Sequence, residues 1–175
     1  SVLVHSAAGG VGMAAVQLAH HWGAEVYATA GRPKWEAVRA LGVAEDHLAS
    51  SRDTGFAERF TAVSGGRGVD LVLNSLAREY VDASLRLLPR GGHFLEMGKT
   101  DVRDARTVAA GHEGVTYRAF DLMDAGLDRI AAMLADLVGL FEQGALHPLP
   151  LTTWDVRRAP EAFRHVSQAR HTGKV

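Results

Sequence analysis

Two residues of this chain, Lys99 and Asp121, could carry out acid–base chemistry, and each follows an apolar run. Lys99 comes after residues 93–97, and Asp121 comes after residues 115–120. If both runs are parallel strands of one sheet, their carboxyl ends meet at the same edge and bring the two side chains together. An ammonium group beside a carboxylate in a crevice could donate a proton or stabilise an enolate. A structural salt bridge is the competing interpretation of the same pair.

A glycine-rich turn near the start of the chain has the spacing of a nucleotide-binding site. The pattern Ala7-x-Gly9-x-x-Gly12 lies between the apolar run 2–5 and a helical pattern that begins at residue 10. Backbone N–H groups of such a turn, and the positive end of the following helix, bind a pyrophosphate. Because alanine replaces the first glycine of GxGxxG, a turn used only for packing is the alternative. The candidate cofactor-binding residues of the turn are Ala8, Gly9, Gly10, Val11 and Gly12.

Basic residues follow the second predicted strand, where an acidic residue is usual in NAD sites. Residues 25–30 end without an aspartate or glutamate that would bind the ribose hydroxyls. Arg32 and Lys34 come directly afterwards, and Arg52 follows the third predicted strand. These cations favour a 2′-phosphate and therefore NADPH, although a solvated helix start would also explain Arg32 and Lys34.

Small polar residues and a glycine follow the next two predicted strands. Asn74 and Ser75 could bind a ribose or close a turn, and Gly98 precedes the candidate Lys99. The nine histidines lack metal-ligand spacing, and the chain has no cysteine, so we predict no metal site. The apolar stripe from Ile130 to Phe141 is expected to be core, and residues 100–114 are expected to form a surface loop.

Strand and helix patterns alternate along nearly the whole chain, which predicts an α/β fold. The expected architecture is a Rossmann-type, doubly wound parallel sheet in the order 3-2-1-4-5-6, with helices on both faces. The candidate residues then line the crevice where the strand order reverses. The predicted strands are Val2–His5, Glu25–Ala30, Asp46–Ala49, Val69–Leu73, His93–Met97 and Val115–Phe120. The predicted helices are Gly10–Trp22, Lys34–Leu41, Phe56–Val63, Tyr80–Leu88, Leu127–Gln143 and Pro160–Arg170.

Composition excludes several classes of protein. Nineteen Lys and Arg against 20 Asp and Glu give a net charge of −1, so neither nucleic acid nor a membrane surface is an expected partner. The 47% hydrophobic content predicts one folded domain. The lack of cysteine fits a reducing compartment, and we expect a cytoplasmic location. The chain begins within a predicted strand and ends with a strand-like segment at Val175, which predicts a segment of a larger protein.

Several longer blocks resemble the enoylreductase domain of modular polyketide synthases, within the medium-chain dehydrogenase/reductase superfamily. The resemblance implies NADPH-dependent reduction of a trans-2-enoyl thioester on an acyl carrier protein. It implies that Lys99 and Asp121 donate a proton or stabilise an enolate, and that Asn74 and Ser75 lie near the nicotinamide ribose. It also implies a zinc-free enzyme. The blocks that carry the resemblance are residues 5–12, 49–54, 68–77, 94–101, 117–122 and 162–175.

The same resemblance implies a second, GroES-like subdomain that binds substrate and is absent from these 175 residues. Residues 1–175 would then be the NADPH-binding subdomain, inactive by itself, and the other domains of the synthase would be its partners. Two alternatives stay open. One is the nucleotide-binding half of a stand-alone reductase similar to quinone oxidoreductases, and the other is a nucleotide-binding module without catalytic activity.

Overall fold

The computed structural model describes residues 1–175 and contains one sheet of six parallel strands. The strand order is β3-β2-β1-β4-β5-β6, so the predicted doubly wound topology is confirmed. The order reverses between β1 and β4, and a crevice lies there outside the carboxyl ends of the strands. The strands are β1 (Val2–Val4), β2 (Val26–Ala30), β3 (Leu48–Ser50), β4 (Leu71–Asn74), β5 (His93–Glu96) and β6 (Thr116–Ala119).

Successive strand residues point to opposite faces of the sheet, so both faces carry apolar side chains that helices cover. Leu3 belongs to a cluster of 17 buried residues that includes Phe60 and Val81, whereas Val4 belongs to a cluster of 11 that includes Val16. Two apolar cores therefore lie on the two sides of the sheet. The helices are α1 (Gly10–His21), α2 (Trp35–Arg39), α3 (Phe56–Val63), α4 (Glu79–Leu85), α5 (Ala105–Gly111), α6 (Leu127–Glu142) and α7 (Ala159–Ser167).

The prediction that the stripe on α6 is core is wrong. No residue of α6 is fully buried. Leu134 is 57% exposed and Phe141 is 47% exposed, while Ile130 and Leu137 are half-buried. A periodic pattern shows that one helix face is apolar, but it does not show what covers that face. No helix of the structure is long and apolar enough to cross a membrane.

The prediction of a loop over residues 100–114 is also wrong, since this stretch contains α5. Asp104 caps the helix by accepting a hydrogen bond from the backbone N–H of Thr107 at 2.8 Å. Val108 anchors α5 in the core and is 5% exposed. The cap residue was visible in the sequence, but the polar and charged composition around it favoured a loop.

Other boundaries differ from prediction by a few residues. A short 3₁₀ turn at Arg32–Lys34 precedes α2, so this helix begins at Trp35 rather than at Lys34. Strand β4 begins two residues later than predicted, and α7 ends at Ser167 rather than at Arg170. Terminal residues of helices and strands have the weakest hydrogen bonding, so their positions depend on tertiary contacts that the sequence does not display.

Candidate dinucleotide-binding site

The turn between β1 and α1 has the close approach that its glycines predicted. The backbone N–H of Gly9 donates to the carbonyl of Ser6 at 2.9 Å. A Cβ atom at Gly12 would lie 2.4 Å from the carbonyl oxygen of Ser6 and 2.6 Å from Cα of Ala7, so only glycine fits there. The left-handed residue is Ser6, with φ of +54°, rather than Ala7. This shift explains why alanine is tolerated in place of the first glycine.

A buried histidine fixes the end of β1 just before this turn. His5 is 1% exposed, and its two ring nitrogens lie 2.8 Å from the hydroxyls of Thr29 and Ser84. Since Ser84 donates its own hydrogen to the carbonyl of Tyr80 at 2.6 Å, it must accept from Nε2–H of His5. Nδ1 then accepts from Thr29. Burial lowers the pKa of His5 to about 3, so the ring is neutral at neutral pH.

One pocket brings together the glycine turn and two of the predicted cations. Ala8, Gly9, Lys34 and Arg52 line it, and no carboxylate does so. Burial, and secondarily the charge of Arg52, lowers the pKa of Lys34. A bound anion would favour the charged form of Lys34. The rest of the pocket is lined by Ser6, Ala30, Gly31, Ser51, Leu76, Ala169 and His171.

The remaining predicted cofactor residues lie beside the pocket rather than in it. Arg32 lines an adjoining cleft with Lys34 and Arg52, and its guanidinium carbon is 5.3 Å from the ring centroid of Trp35. Gly10, Val11 and Gly12 form the first turn of α1, whose N–H groups have no partners within the helix. The side chain of Val11 is 55% exposed.

Sequence reasoning missed the segment 169–174, which packs against the glycine turn. Gly173 donates its N–H to the carbonyl of Ala8 at 3.0 Å and forms an isolated parallel bridge with Gly9. His171 lines the pocket, and burial lowers its pKa. A Cβ atom at Gly10 would lie 2.3 Å from Cε of Lys174, so that lysine lies directly over the turn. The segment is far from the turn in sequence, and no local pattern indicated the contact.

The loop after β4 forms the opposite side of the crevice. Asn74 is fully buried, and Ser75 donates its hydroxyl to that of Ser6 at 3.1 Å. Asn74 also donates to Glu96, whose second oxygen accepts from the N–H of Gly98. Burial raises the pKa of Glu96, and the hydrogen bond from Asn74 partly opposes this. Sequence reasoning did not select Glu96, because a single glutamate inside a strand has no spacing signal.

Lys99 and Asp121 form an ion pair of 3.0 Å at the carboxyl edge of β5 and β6. Lys99 also donates to the carbonyl of Phe120 at 3.1 Å. The N–H of Met123 and then the ammonium of Lys99 lower the pKa of Asp121. Both side chains are at least half exposed, at 62% and 50%. They do not line the pocket that holds Lys34 and Arg52.

The order of the sheet and the turn between β1 and α1 define a Rossmann-like α/β protein. Residues 43–175 match the zinc-binding dehydrogenase family, and the chain belongs to that family. Despite the family's description, the residues do not fit a zinc ion. No group of three or more histidine, aspartate or glutamate side chains is close enough to hold a metal, and the chain lacks cysteine.

Individual relatives confirm the resemblance to polyketide synthases. The chain is 70% identical over 174 residues to the pikromycin polyketide synthase component PikAII of Streptomyces venezuelae, covering 99% of this chain and 5% of that protein. It is 40% identical to the CurK enoyl reductase, with a TM-score of 0.92, over 98% of this chain and 52% of that one. The nucleotide-binding subdomain of the enoylreductase domain of PpsC from Mycobacterium tuberculosis is 36% identical, with a TM-score of 0.72, over 83% of this chain and 84% of that one.

Proposed function

We propose that residues 1–175 are the NADPH-binding half of an enoylreductase that reduces a trans-2-enoyl thioester on an acyl carrier protein. The observation that carries the proposal is the pocket that unites the Gly9 turn with Lys34 and Arg52 and contains no carboxylate. A 2′-phosphate suits such a pocket, whereas an NAD site places an acid there. The similarity to enoyl reductases supports the choice of reaction.

NADPH, when bound, supplies a hydride for the β-carbon of the substrate. We assign the next step to Lys99, whose ammonium lies at the carboxyl edge of the sheet. It would stabilise charge on the thioester oxygen and provide the proton that the α-carbon needs. Asp121 would hold the ammonium in place, since its own carboxyl is kept ionised by its hydrogen bonds.

The acceptor half of the site is proposed to come from outside these residues. The chain spans about half the length of the CurK enoyl reductase that it matches and 5% of the pikromycin synthase component. We propose that a GroES-like subdomain binds the enoyl group and that the other domains of a synthase deliver it. High identity to a synthase over 99% of the chain favours this reading over a stand-alone quinone-oxidoreductase-like enzyme.

The test is cofactor selectivity in a reductase that contains this chain and its substrate-binding half. We expect calorimetry to show tighter binding of NADPH than of NADH, and a crotonyl thioester to be reduced with NADPH. Lys34→Ala or Arg52→Ala should weaken NADPH binding by about 1–3 kcal/mol and leave NADH binding nearly unchanged, because a charged hydrogen bond to the 2′-phosphate is lost.

Arg106→Ala is the matched control, because Arg106 is exposed on α5 and lies outside both clefts. Equal affinities for the two dinucleotides would remove the assignment of NADPH. Binding of NADPH without any reduction of an enoyl thioester would instead favour the nucleotide-binding module.

A further inference from the structure

Glu96 is a carboxylate buried between the two loops that follow β4 and β5. We propose that Glu96 is a positioning residue for the part of the site that faces the nicotinamide half of the dinucleotide. Its carboxylate holds residues 74–76 and the backbone of Gly98 in a fixed relative position. This inference rests on the proposed function, because it presumes that a dinucleotide binds in the crevice.

The two oxygens of Glu96 have different partners, and both partners are donors. Oε2 accepts from the amide nitrogen of Asn74 at 2.6 Å, and Oε1 accepts from the N–H of Gly98 at 2.6 Å. An ionised carboxylate accepts at both ends. A glutamine would turn an N–H group toward one of the two donors and lose that hydrogen bond.

The constraint passes from Glu96 to the turn through Asn74. The side-chain amide of Asn74 also donates to the carbonyl of Leu76 at 2.8 Å, and its oxygen accepts from the N–H of Leu76 at 3.2 Å. Leu76 lines the pocket, and Ser75 contacts Ser6 of the glycine turn. Rotation of the Asn74 amide would therefore move residues that border the cofactor directly.

A carboxylate at position 96 does not stabilise the fold better than an apolar residue would. Glu96 is 1% exposed, and an ionised group at such a position pays a desolvation penalty that its hydrogen bonds only partly offset. Burial raises the pKa of Glu96, which is the sign of that penalty. An apolar residue of similar volume would avoid it, so a positional requirement is the better explanation.

Glu96 lies on the opposite side of β1 from the pocket that contains Lys34 and Arg52. Lys34 and Arg52 follow β2 and β3, on one side of β1, whereas Glu96 and Asn74 end the strands on the other side. A dinucleotide that crosses this reversal places one half on each side. Loss of the Glu96 contacts should therefore disturb the nicotinamide half and spare the 2′-phosphate half.

The experiment compares two probes in the complete reductase. One is 2′,5′-ADP, which contains only the adenosine and phosphate end, and the other is NADPH. We expect Glu96→Gln to bind 2′,5′-ADP within about twofold of wild type, while kcat for a crotonyl thioester falls about tenfold or more and NADPH binding weakens. A misplacement of about 1 Å can cost on the order of 10²-fold in rate.

Two further variants make the test specific. Glu58→Gln, on the exposed face of α3, should change neither probe nor kcat. The double variant Glu96→Gln with Asn74→Asp reverses the polarity of one hydrogen bond, because the new amide can donate to the new carboxylate and still accept from Gly98. The double variant also loses the hydrogen bond from residue 74 to the carbonyl of Leu76, so its rescue is incomplete. It should recover part of the lost kcat, which a residue that only fills space would not do.

The outcomes are distinct. Equal loss of both probes in Glu96→Gln, or no loss of kcat, would overturn the positioning role. Failure of the wild-type protein to bind either probe would overturn the proposed function instead. If Glu96→Gln does not fold, Glu96→Asp keeps the charge on a shorter arm, and the same unequal effect on NADPH and 2′,5′-ADP is then required of it.

Discussion

The two members of the ion pair between Lys99 and Asp121 have different chemical capacities. Hydrogen bonds keep the pKa of Asp121 below its usual range, so at neutral pH this group is an acceptor. The ammonium of Lys99 therefore carries the transferable proton. The two residues also follow neighbouring strands, β5 and β6, which brings their side chains together. These facts favour a proton-donating pair in which Asp121 orients the lysine.

In the complete reductase, Lys99→Ala and Asp121→Ala should lower kcat much more than they change NADPH affinity. A positioned proton donor contributes about 10²–10⁴-fold, and most of that is expected to disappear in Lys99→Ala. Steady-state kinetics and calorimetry check this. A double alanine variant of Arg158 and Glu161, an ion pair of similar exposure at the start of α7, serves as the control. Full turnover in the Lys99 and Asp121 double variant would end the catalytic assignment.

His5 makes the stability of the chain sensitive to mild acid. Its pKa falls from 6.5 in the unfolded chain to about 3 in the fold, so between these values the unfolded state binds the extra proton. Stability should therefore decrease as the pH falls from about 6.5, by up to about 1.4 kcal/mol per pH unit. Glu96 acts with the opposite sign, because burial raises its pKa and folding then favours the protonated form as the pH falls.

Urea unfolding of wild type and of His5→Gln between pH 7.5 and pH 5 isolates this contribution. We expect the wild type to lose more stability over this interval than the variant, since the variant lacks the titrating ring. The aspartates with lowered pKa values, such as Asp101 and Asp104, lose their contributions only at lower pH. Identical pH slopes for the two proteins would show that His5 is not held neutral.

The common location of residues that follow the strands could be predicted, because the carboxyl ends of parallel strands meet at one edge of the sheet. That rule selected the Gly9 turn, Lys34 and Arg52, which the structure brings together in one pocket, and Asn74, which is the last residue of β4. It could not locate His171 or Glu96. The first comes from the other end of the chain, and the second acts through hydrogen bonds that only the folded geometry displays.

Among the elements, the packing of α1 on β1 depends on two glycines in unequal ways. At Gly12 a methyl group would meet backbone atoms of Ser6 and Ala7, which cannot move without disturbing the turn. At Gly10 it would meet only the flexible end of Lys174. The two positions therefore provide a matched pair of substitutions within one helix turn.

Gly12→Ala should lower the free energy of unfolding by about 1–3 kcal/mol or more, as overpacking does. Gly10→Ala should change it by no more than about 0.5 kcal/mol, since the side chain of Lys174 can rotate away. Urea unfolding monitored by circular dichroism measures both. A similar loss in the two variants would mean that the close approach at Gly12 does not constrain the fold.

Element types were predictable where the apolar pattern was clear, as in the largely apolar run of β2 and the amphipathic α3. They were less predictable where a capping residue decided the structure. The helix α5 depends on Asp104 and one buried valine, which is a weak signal within a charged stretch. The surroundings of α6 were unpredictable for another reason, because the period of its apolar residues is the same for a buried and a half-covered helix.

For the whole molecule, the half-covered elements bear on activity. Leu127 and Leu134 of α6 and Phe163 of α7 are more than half exposed, at 74%, 57% and 74%. These large apolar side chains are available to pack against another domain. They are consistent with the proposed position of this chain beside a second subdomain.

We expect the isolated 175-residue chain to bind NADPH but not to oxidise it with a crotonyl thioester. Hydride donor and acceptor must be held in near-attack geometry, and the proposed walls for the acceptor lie outside these residues. The assay is loss of NADPH absorbance, with the complete reductase as the positive control. Robust turnover by the isolated chain would show that these residues contain the substrate site themselves.

The central position of β1 also has a consequence for folding. Val2 pairs with Val26 on one side and with Leu71 on the other. The second edge of β1 therefore pairs with a strand that lies 69 residues later in the sequence. During synthesis that edge stays unpaired until β4 has left the ribosome. Such non-local pairing slows folding, and an open apolar edge invites association with other chains. A nascent chain that pauses before β4 has been made would therefore depend more on chaperones.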